Sequence, residues 1–179
     1  MTNKINYLES LQFKLKSAEY HNKKGKESLH KYGLFEKEED GMVALSSELT
    51  AMMLTLHSLL DILAQYINEK REMGLPSEKL YFTWLFNNQD KIIDLLPLLN
   101  KLREQSEYIT DYCNYSKHQN LIALSDYWTF LTTCQPTKYH IITPFKKGTR
   151  EHTAKHVTEL IYKDYESFTS VLEDLIEIV

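Results

Sequence analysis

Asn114, Lys117 and His118 are the polar residues best suited to chemistry in this chain, and they end a long amphipathic segment. On a helix, residues four apart share a face, so Asn114 and His118 are expected to project together. Histidine can move a proton near neutral pH, and asparagine can orient it or hold a phosphate oxygen. Lys117 adds a cation about 100° around the helix from His118. The three are candidate catalytic residues, although Asn114 and His118 would also suit a simple cap of the last helical turn.

The run Cys113-Asn114-Tyr115-Ser116-Lys117-His118 resembles the signature of the HEPN superfamily, in which an arginine, a polar residue and three variable residues precede a histidine. Asn114 takes the polar position, and the form Asn-x-x-Lys-His is similar to one HEPN-like branch. The resemblance covers about Glu48 to Ile122. It implies a small helical bundle, metal-independent ribonuclease activity in toxin–antitoxin or phage-defence systems, and a homodimer whose site forms where two such helices meet.

Cys113 departs from that signature, because it stands where the family has its arginine. Cleaving RNA through a 2′-hydroxyl needs proton transfer and stabilisation of the charge on a phosphorane. His118 can supply the first, but cysteine cannot replace a planar guanidinium that suits phosphate. Arg103 lies about 22 Å before His118 along a helix, too far within one chain. The resemblance therefore implies a HEPN-like fold with a degenerate motif, an RNA or antitoxin-like protein partner, and Asn114 and His118 near the dimer interface.

A second constellation, His57 with His152 and His156, has the residue types of a metal site. Histidines four apart on a helix are a common ligand pair, and the last helix is predicted to carry both His152 and His156. His57 would complete an open site for zinc or nickel. This order of histidines is similar to DinB-like metal-binding bundles, which include metal-dependent hydrolases and thiol transferases. It is one alternative to the HEPN-like hypothesis, which needs no cofactor; a non-enzymatic dimeric scaffold is the other.

Two other groups have both a functional and a structural interpretation. His57 and Asp61 are four residues apart, so they could pair for acid–base work or fix the helix register as a buried polar pair. A group of aromatic residues could stack on nucleic-acid bases, although such groups more often pack between helices. These aromatic residues are Tyr81, Phe82, Trp84 and Phe86.

Long helices must position these residues, because apolar residues recur at helical spacing through most of the chain. Gly25 is expected to interrupt or end the first helix. Pro97 is expected to kink or restart the third, since it removes an amide donor and clashes with the preceding turn. The predicted helices are Ile5–Lys31, Val43–Met73, a short aromatic helix from Ser77, and a long helix from near Gln89 to His118.

The segment 122–147 is predicted to be a small β-hairpin or irregular insertion, because aromatic and β-branched residues cluster there on both sides of Cys134–Lys138, a suitable turn. A last helix is predicted to begin near Arg150, with Thr149 as its N-cap. The predicted fold class is therefore mainly α: one domain, 1–179, of four to five helices with a small β-hairpin insertion before the last helix.

Composition agrees with this fold and excludes several classes of protein. Glycine (5) and proline (4) are scarce, which disfavours an all-β fold. A formal net charge of −4 gives no global basic surface, and two cysteines are too few for a disulfide scaffold. No run approaches the ~20 apolar residues of a membrane span, so we expect a cytoplasmic protein without a membrane partner.

Overall fold

The computed structural model describes residues 6–32, 39–76, 80–118, 122, 124–130 and 136–179. Within these ranges the chain forms four long helices, and a small antiparallel strand region precedes the last of them. The predicted mainly α fold, a helical bundle with a β insertion before the final helix, is confirmed.

Helices α1 (Tyr7–Tyr32) and α2 (Glu39–Lys70) pack side by side and lie within a few residues of the first two predicted helices. Gly25 does not interrupt α1. It is buried inside the helix, and a Cβ added to it would lie 3.4 Å from Ile161 Cδ1. The segment that leads into the last helix therefore packs against α1 at this glycine, at a distance where an added Cβ would make van der Waals contact.

Helix α2 is the central core helix. By length and composition alone, its residues Asp40–Lys70 would suffice to cross a membrane, with a mean hydropathy of 1.3 over their most apolar window. Packing against α1 and α3 accounts for this apolar character, because the helix presents its apolar side chains to the core. The buried residues of α2 include Leu45, Leu49, Met52, Met53, Leu56, Leu59, Leu63 and Ile67.

The predicted short aromatic helix between α2 and the next long helix is present in the described residues as 3₁₀ structure. A 3₁₀ helix spans Phe82–Asn87 and a single turn spans Gln89–Lys91. Helix α3 begins only at Leu96 and ends at His118, so the predicted start near Gln89 is wrong. Pro97 lies in the first turn of α3, where an amide donor is not needed, and it therefore restarts the helix rather than kinking it.

The predicted hairpin is present. Strand β1 (Leu124–Phe130) pairs antiparallel with β2 (Pro136–Ile142), and residues 131–135, with most of the predicted turn, lie outside the described residues. Strand order in this sheet is β1-β2-β5, where β5 is Lys155–His156. A second hairpin joins β3 (Phe145–Lys147) to β4 (Arg150–His152). The insertion therefore extends to His156, beyond the predicted limit of 147.

The predicted start of the last helix at Arg150 is wrong, and so is the N-cap at Thr149. Gly148 has a φ of +61°, and with Thr149 it forms the tight turn that pairs Lys147 with Arg150. The helical segment follows β5: a π-helical stretch, Glu159–Asp164, continues directly as α4 (Tyr165–Ile178). Helix α4 packs against α3 through apolar residues at helical spacing, namely Phe168, Val171, Leu172 and Leu175.

Candidate functional site

A cleft of about 640 Å³ lies between α2 and α3, with the 3₁₀ helix and β4 at its edges. Residues on α3 form its longest wall, and they recur at spacings of three or four, which places them on one face of the helix. From Arg103 to Lys117 this polar face extends about 21 Å along the helix axis. The residues of this face that line the cleft include Arg103, Glu107, Thr110, Asn114 and Lys117.

The predicted catalytic residues are placed as follows. Asn114 and Lys117 both line the cleft, so the structure brings these two together. His118 is the last residue of α3, but its side chain lies outside the described part of the chain. Arg103 lines the same cleft as Asn114 and Lys117, although it is many residues away along α3. Arg103 is therefore far from the motif along α3, as predicted, although Arg103 and the motif residues Asn114 and Lys117 line the same cavity.

Cys113, at the position of the family's arginine, is fully buried in the core and does not line the cleft. Burial raises the pKa of its thiol to about 12, and the nearby charge of Lys117 opposes that rise only in part. The thiol is therefore neutral at physiological pH and inaccessible to ligands. A nucleophilic or charge-stabilising role for Cys113 is incompatible with this environment.

His57 lies half-buried on α2 and lines the cleft opposite the polar face of α3. Its pKa is lowered from the ordinary value, first by burial and then by the positive charge of Lys117, while Asp61 acts in the opposite direction. Asp61 accepts a hydrogen bond from the Phe82 backbone N–H at 3.1 Å. Asp61 therefore anchors the start of the 3₁₀ helix to α2, and His57 presents a predominantly neutral imidazole to the cleft.

The aromatic group is divided between the core and the surface. Phe82 is buried and packs edge-to-face on Phe86, with ring centroids 5.6 Å apart, as the packing interpretation predicted. Tyr81, directly before the 3₁₀ helix, is 57% exposed at the edge of the cleft, and Trp84 on that helix is also exposed. The guanidinium of Arg103 lies 4.5 Å from the centroid of the Phe86 ring. The exposed Tyr81 ring and the Arg103 guanidinium therefore both line the cleft.

Asp111 forms a polar network that the sequence did not reveal. Its carboxylate is buried and accepts hydrogen bonds from Arg150 Nη2 and His152 Nε2, both at 2.9 Å. Arg150 also pairs with Glu107, and the His152 ring stacks on Phe145 with centroids 4.6 Å apart. The network fixes the β3–β4 hairpin to α3 and places Arg150 at the edge of the cleft.

One feature of the sequence could have indicated this network: the acidic Asp111 directly precedes Tyr112 and Cys113, which are buried. A buried carboxylate requires cationic or donor partners. Its partners lie 39 and 41 residues later in the chain, and nothing local in the sequence pairs them with Asp111.

The helical His-x-x-x-His arrangement of the metal hypothesis is wrong. His152 lies on β4 and His156 on β5, so the two do not share a helix face. His152 Nε2 is already bonded to Asp111, and His57 lines the cleft between α2 and α3. Among the described residues, no group of three or more His, Cys, Asp or Glu side chains is arranged to hold a metal ion.

No family model matches this chain, and no curated protein or solved structure is significantly similar to it. Its resemblance to the HEPN superfamily, carried by residues 113–118 and covering about Glu48 to Ile122, therefore remains a prediction.

Proposed function

We propose that this protein is a HEPN-like helical domain that binds RNA in the cleft between α2 and α3 without cleaving it. One observation carries the proposal: Arg103 and Lys117, which have no carboxylate partner in the described ranges, line the same cleft as the exposed ring of Tyr81. Proteins that bind single-stranded nucleic acid combine cations that contact phosphates with aromatic rings on which bases stack.

Cleavage is not part of this proposal, because among the described residues no guanidinium without a carboxylate partner lies at the motif end of the cleft to stabilise a phosphorane. Cys113 is buried at the motif position, and Arg150 is engaged by Glu107 and Asp111. Arg103 lies over the Phe86 ring at the opposite end of the cleft from the motif. These placements support RNA binding with a degenerate catalytic motif.

The resemblance supplies the biological setting of the proposal. In this setting the protein is a cytoplasmic homodimer in bacterial defence or a toxin–antitoxin system, with RNA or an antitoxin-like protein as partner. No observation favours the DinB-like metalloenzyme alternative, whose helical histidine pair is absent. The non-enzymatic scaffold remains the class that a lack of RNA binding would favour.

Fluorescence anisotropy with a labelled single-stranded RNA tests the proposal. We expect wild-type binding that weakens with salt, and the slope against log salt should fall by about 0.7 for each phosphate that a variant no longer neutralises. Arg103→Ala and Lys117→Ala should each weaken binding and reduce that slope. Lys101→Ala is the matched control, because Lys101 is an exposed cation on α3 that does not line the cleft.

Tyr81→Ala should weaken binding without changing the salt slope, since stacking involves no counterion release. The absence of RNA binding by the wild-type protein would overturn the proposal. Equally weakened binding in Lys117→Ala and Lys101→Ala would also overturn it, because it would indicate binding by overall charge rather than by the cleft.

A further inference from the structure

We infer that the part of the cleft around His57 is a phosphate-group subsite, complete within one protomer, in which His57 takes up a proton as the anion binds. The inference rests on the proposed function and deepens it by naming the group recognised and the residue that responds. It also differs from the expectation of a site shared by two protomers, because every residue used below comes from one chain.

The position of His57 supports this assignment. The imidazole lies half-buried on α2 and lines the cleft, and none of the hydrogen bonds among the described residues involves its ring. Thr110, Asn114 and Lys117 on the facing side of α3 line the same cavity. Hydroxyl, amide and ammonium groups are the donors that bind phosphate oxygens, and a protonated imidazole adds one more.

The titratable groups that line the cavity with His57 come from α2, α3, β4 and the residue before the 3₁₀ helix. Burial lowers the pKa of His57 and Lys117 lowers it further, whereas Asp61 raises it. Helix α3 also contributes Arg103, Glu104 and Glu107 to the cavity. The remaining titratable groups are Arg150 on β4 and Tyr81 before the 3₁₀ helix.

The carboxylates of the cleft do not prevent an anion from binding beside His57. Asp61 accepts the Phe82 backbone N–H, and Glu107 is paired with Arg150. The third carboxylate, Glu104, is exposed and lies about 20 Å before Lys117 along α3. Lys117 has no such partner among the described residues, and its charge acts on His57. Besides the Asp61 carboxylate, the cavity that His57 lines therefore contains a cation and neutral donors that an anion would satisfy.

Anion binding and protonation of His57 favour each other in this cavity. In the empty cleft the lowered pKa keeps His57 neutral at physiological pH. A bound anion adds negative charge and offsets the effect of Lys117, so the pKa of His57 is higher in the complex. Between the two pKa values, binding takes up a proton, and affinity falls as pH rises through that window. Each unit of difference corresponds to about a tenfold change in affinity.

Sulfate is a suitable probe, because it has the shape of phosphate and keeps the same charge across this pH range. Carbon–proton NMR of the histidine rings follows each imidazole as pH is varied, in sulfate and in chloride of equal ionic strength. We expect the His57 midpoint to rise by about 0.5 to 1 unit in sulfate, with about three- to tenfold tighter sulfate binding at the acidic end. His21, bonded to Glu48 outside the cleft, is the internal reference and should not shift.

Two variants separate this inference from the proposed function. His57→Gln should abolish the pH dependence of sulfate and RNA binding, while His21→Gln should leave it unchanged. An identical His57 midpoint in sulfate and chloride would overturn the subsite, whatever the RNA result. If the His57 midpoint is identical in sulfate and chloride and RNA binding is unchanged in His57→Gln, the RNA proposal is retained and the subsite is rejected. A shifted midpoint without RNA binding would retain the subsite and overturn the RNA proposal.

Discussion

Cys113 is buried in the core while Asn114, the next residue, lines the cleft, so one step along α3 separates packing from the candidate site. A helix turns by about 100° per residue, and neighbouring positions therefore face different surroundings. The motif spacing predicted that Asn114 and His118 share a face. The structure shows Asn114 and Lys117 lining one cavity, and the side chain of His118 lies outside its described part. The motif also identified Cys113 as the position where the family has its arginine, but it did not reveal that this position faces the core.

The thiol of Cys113 is expected to be unreactive in the folded protein. Because burial raises its pKa to about 12, the thiolate fraction at pH 8 is about a thousandfold lower than for an ordinary cysteine. In a Cys134→Ser background, the rate of modification by a disulfide reagent measures Cys113 alone. We expect modification in denaturant and almost none in the native state; rapid native modification would show that the residue is accessible.

Asp111 is expected to stabilise the fold far more than its neighbour in the same network. Asp111→Asn removes the charge that pairs with both Arg150 and His152 in a buried setting, and should cost about 3 kcal/mol. Glu107→Gln is the matched control, because Glu107 pairs with the same arginine at the surface and should cost less than about 1 kcal/mol. Urea denaturation gives both values, and equal destabilisation by the two variants would contradict a structural role for the buried network.

At the scale of elements, sequence patterns located the long helices and missed the short strands. Helices α1 and α2 repeat an apolar pattern over 26 and 32 residues, which makes their signal strong. Strands β4 and β5 have three and two residues, too few for any period to appear. Gly148-Thr149 suits both a helix start and a hairpin turn. The long-range bonds from Asp111 to Arg150 and His152 favour the hairpin, and local sequence does not encode them.

Two glycine substitutions of the same kind should have opposite effects on stability. Gly148→Ala places a Cβ on a residue with a φ of +61° and should lower the free energy of unfolding by about 1 kcal/mol. Gly25→Ala, inside α1, improves helix propensity and adds a contact to the Ile161 side chain, so it should raise that free energy by up to about 1 kcal/mol. Thermal unfolding followed by circular dichroism measures both, and destabilisation by Gly25→Ala would show that the two segments cannot separate by a few tenths of an ångström.

At the scale of the whole molecule, the candidate site depends on contacts that close only when the bundle forms. His57 on α2 lines the cleft with the polar face of α3, the residue before the 3₁₀ helix adds Tyr81, and the β3–β4 hairpin adds Arg150. Sequence alone identified Asn114 and Lys117 as candidate site residues, because both belong to one short motif. It gave His57 two interpretations, an alternative metal site with His152 and His156 and a pair with Asp61, since residue spacing does not show which elements will face each other.

The oligomeric state tests the HEPN-like setting independently of the cleft. The resemblance predicts a homodimer with Asn114 and His118 near the interface, so light scattering at micromolar concentration should give twice the 21.1 kDa of one chain. Asn114→Arg would then place like charges close together across the twofold axis and weaken dimerisation by about tenfold or more. Lys101→Glu, a charge change on the same helix outside the cleft, should not. A monomer at every concentration would remove the HEPN-like dimer but not the phosphate subsite, because His57, Asn114 and Lys117 line the cleft within a single chain.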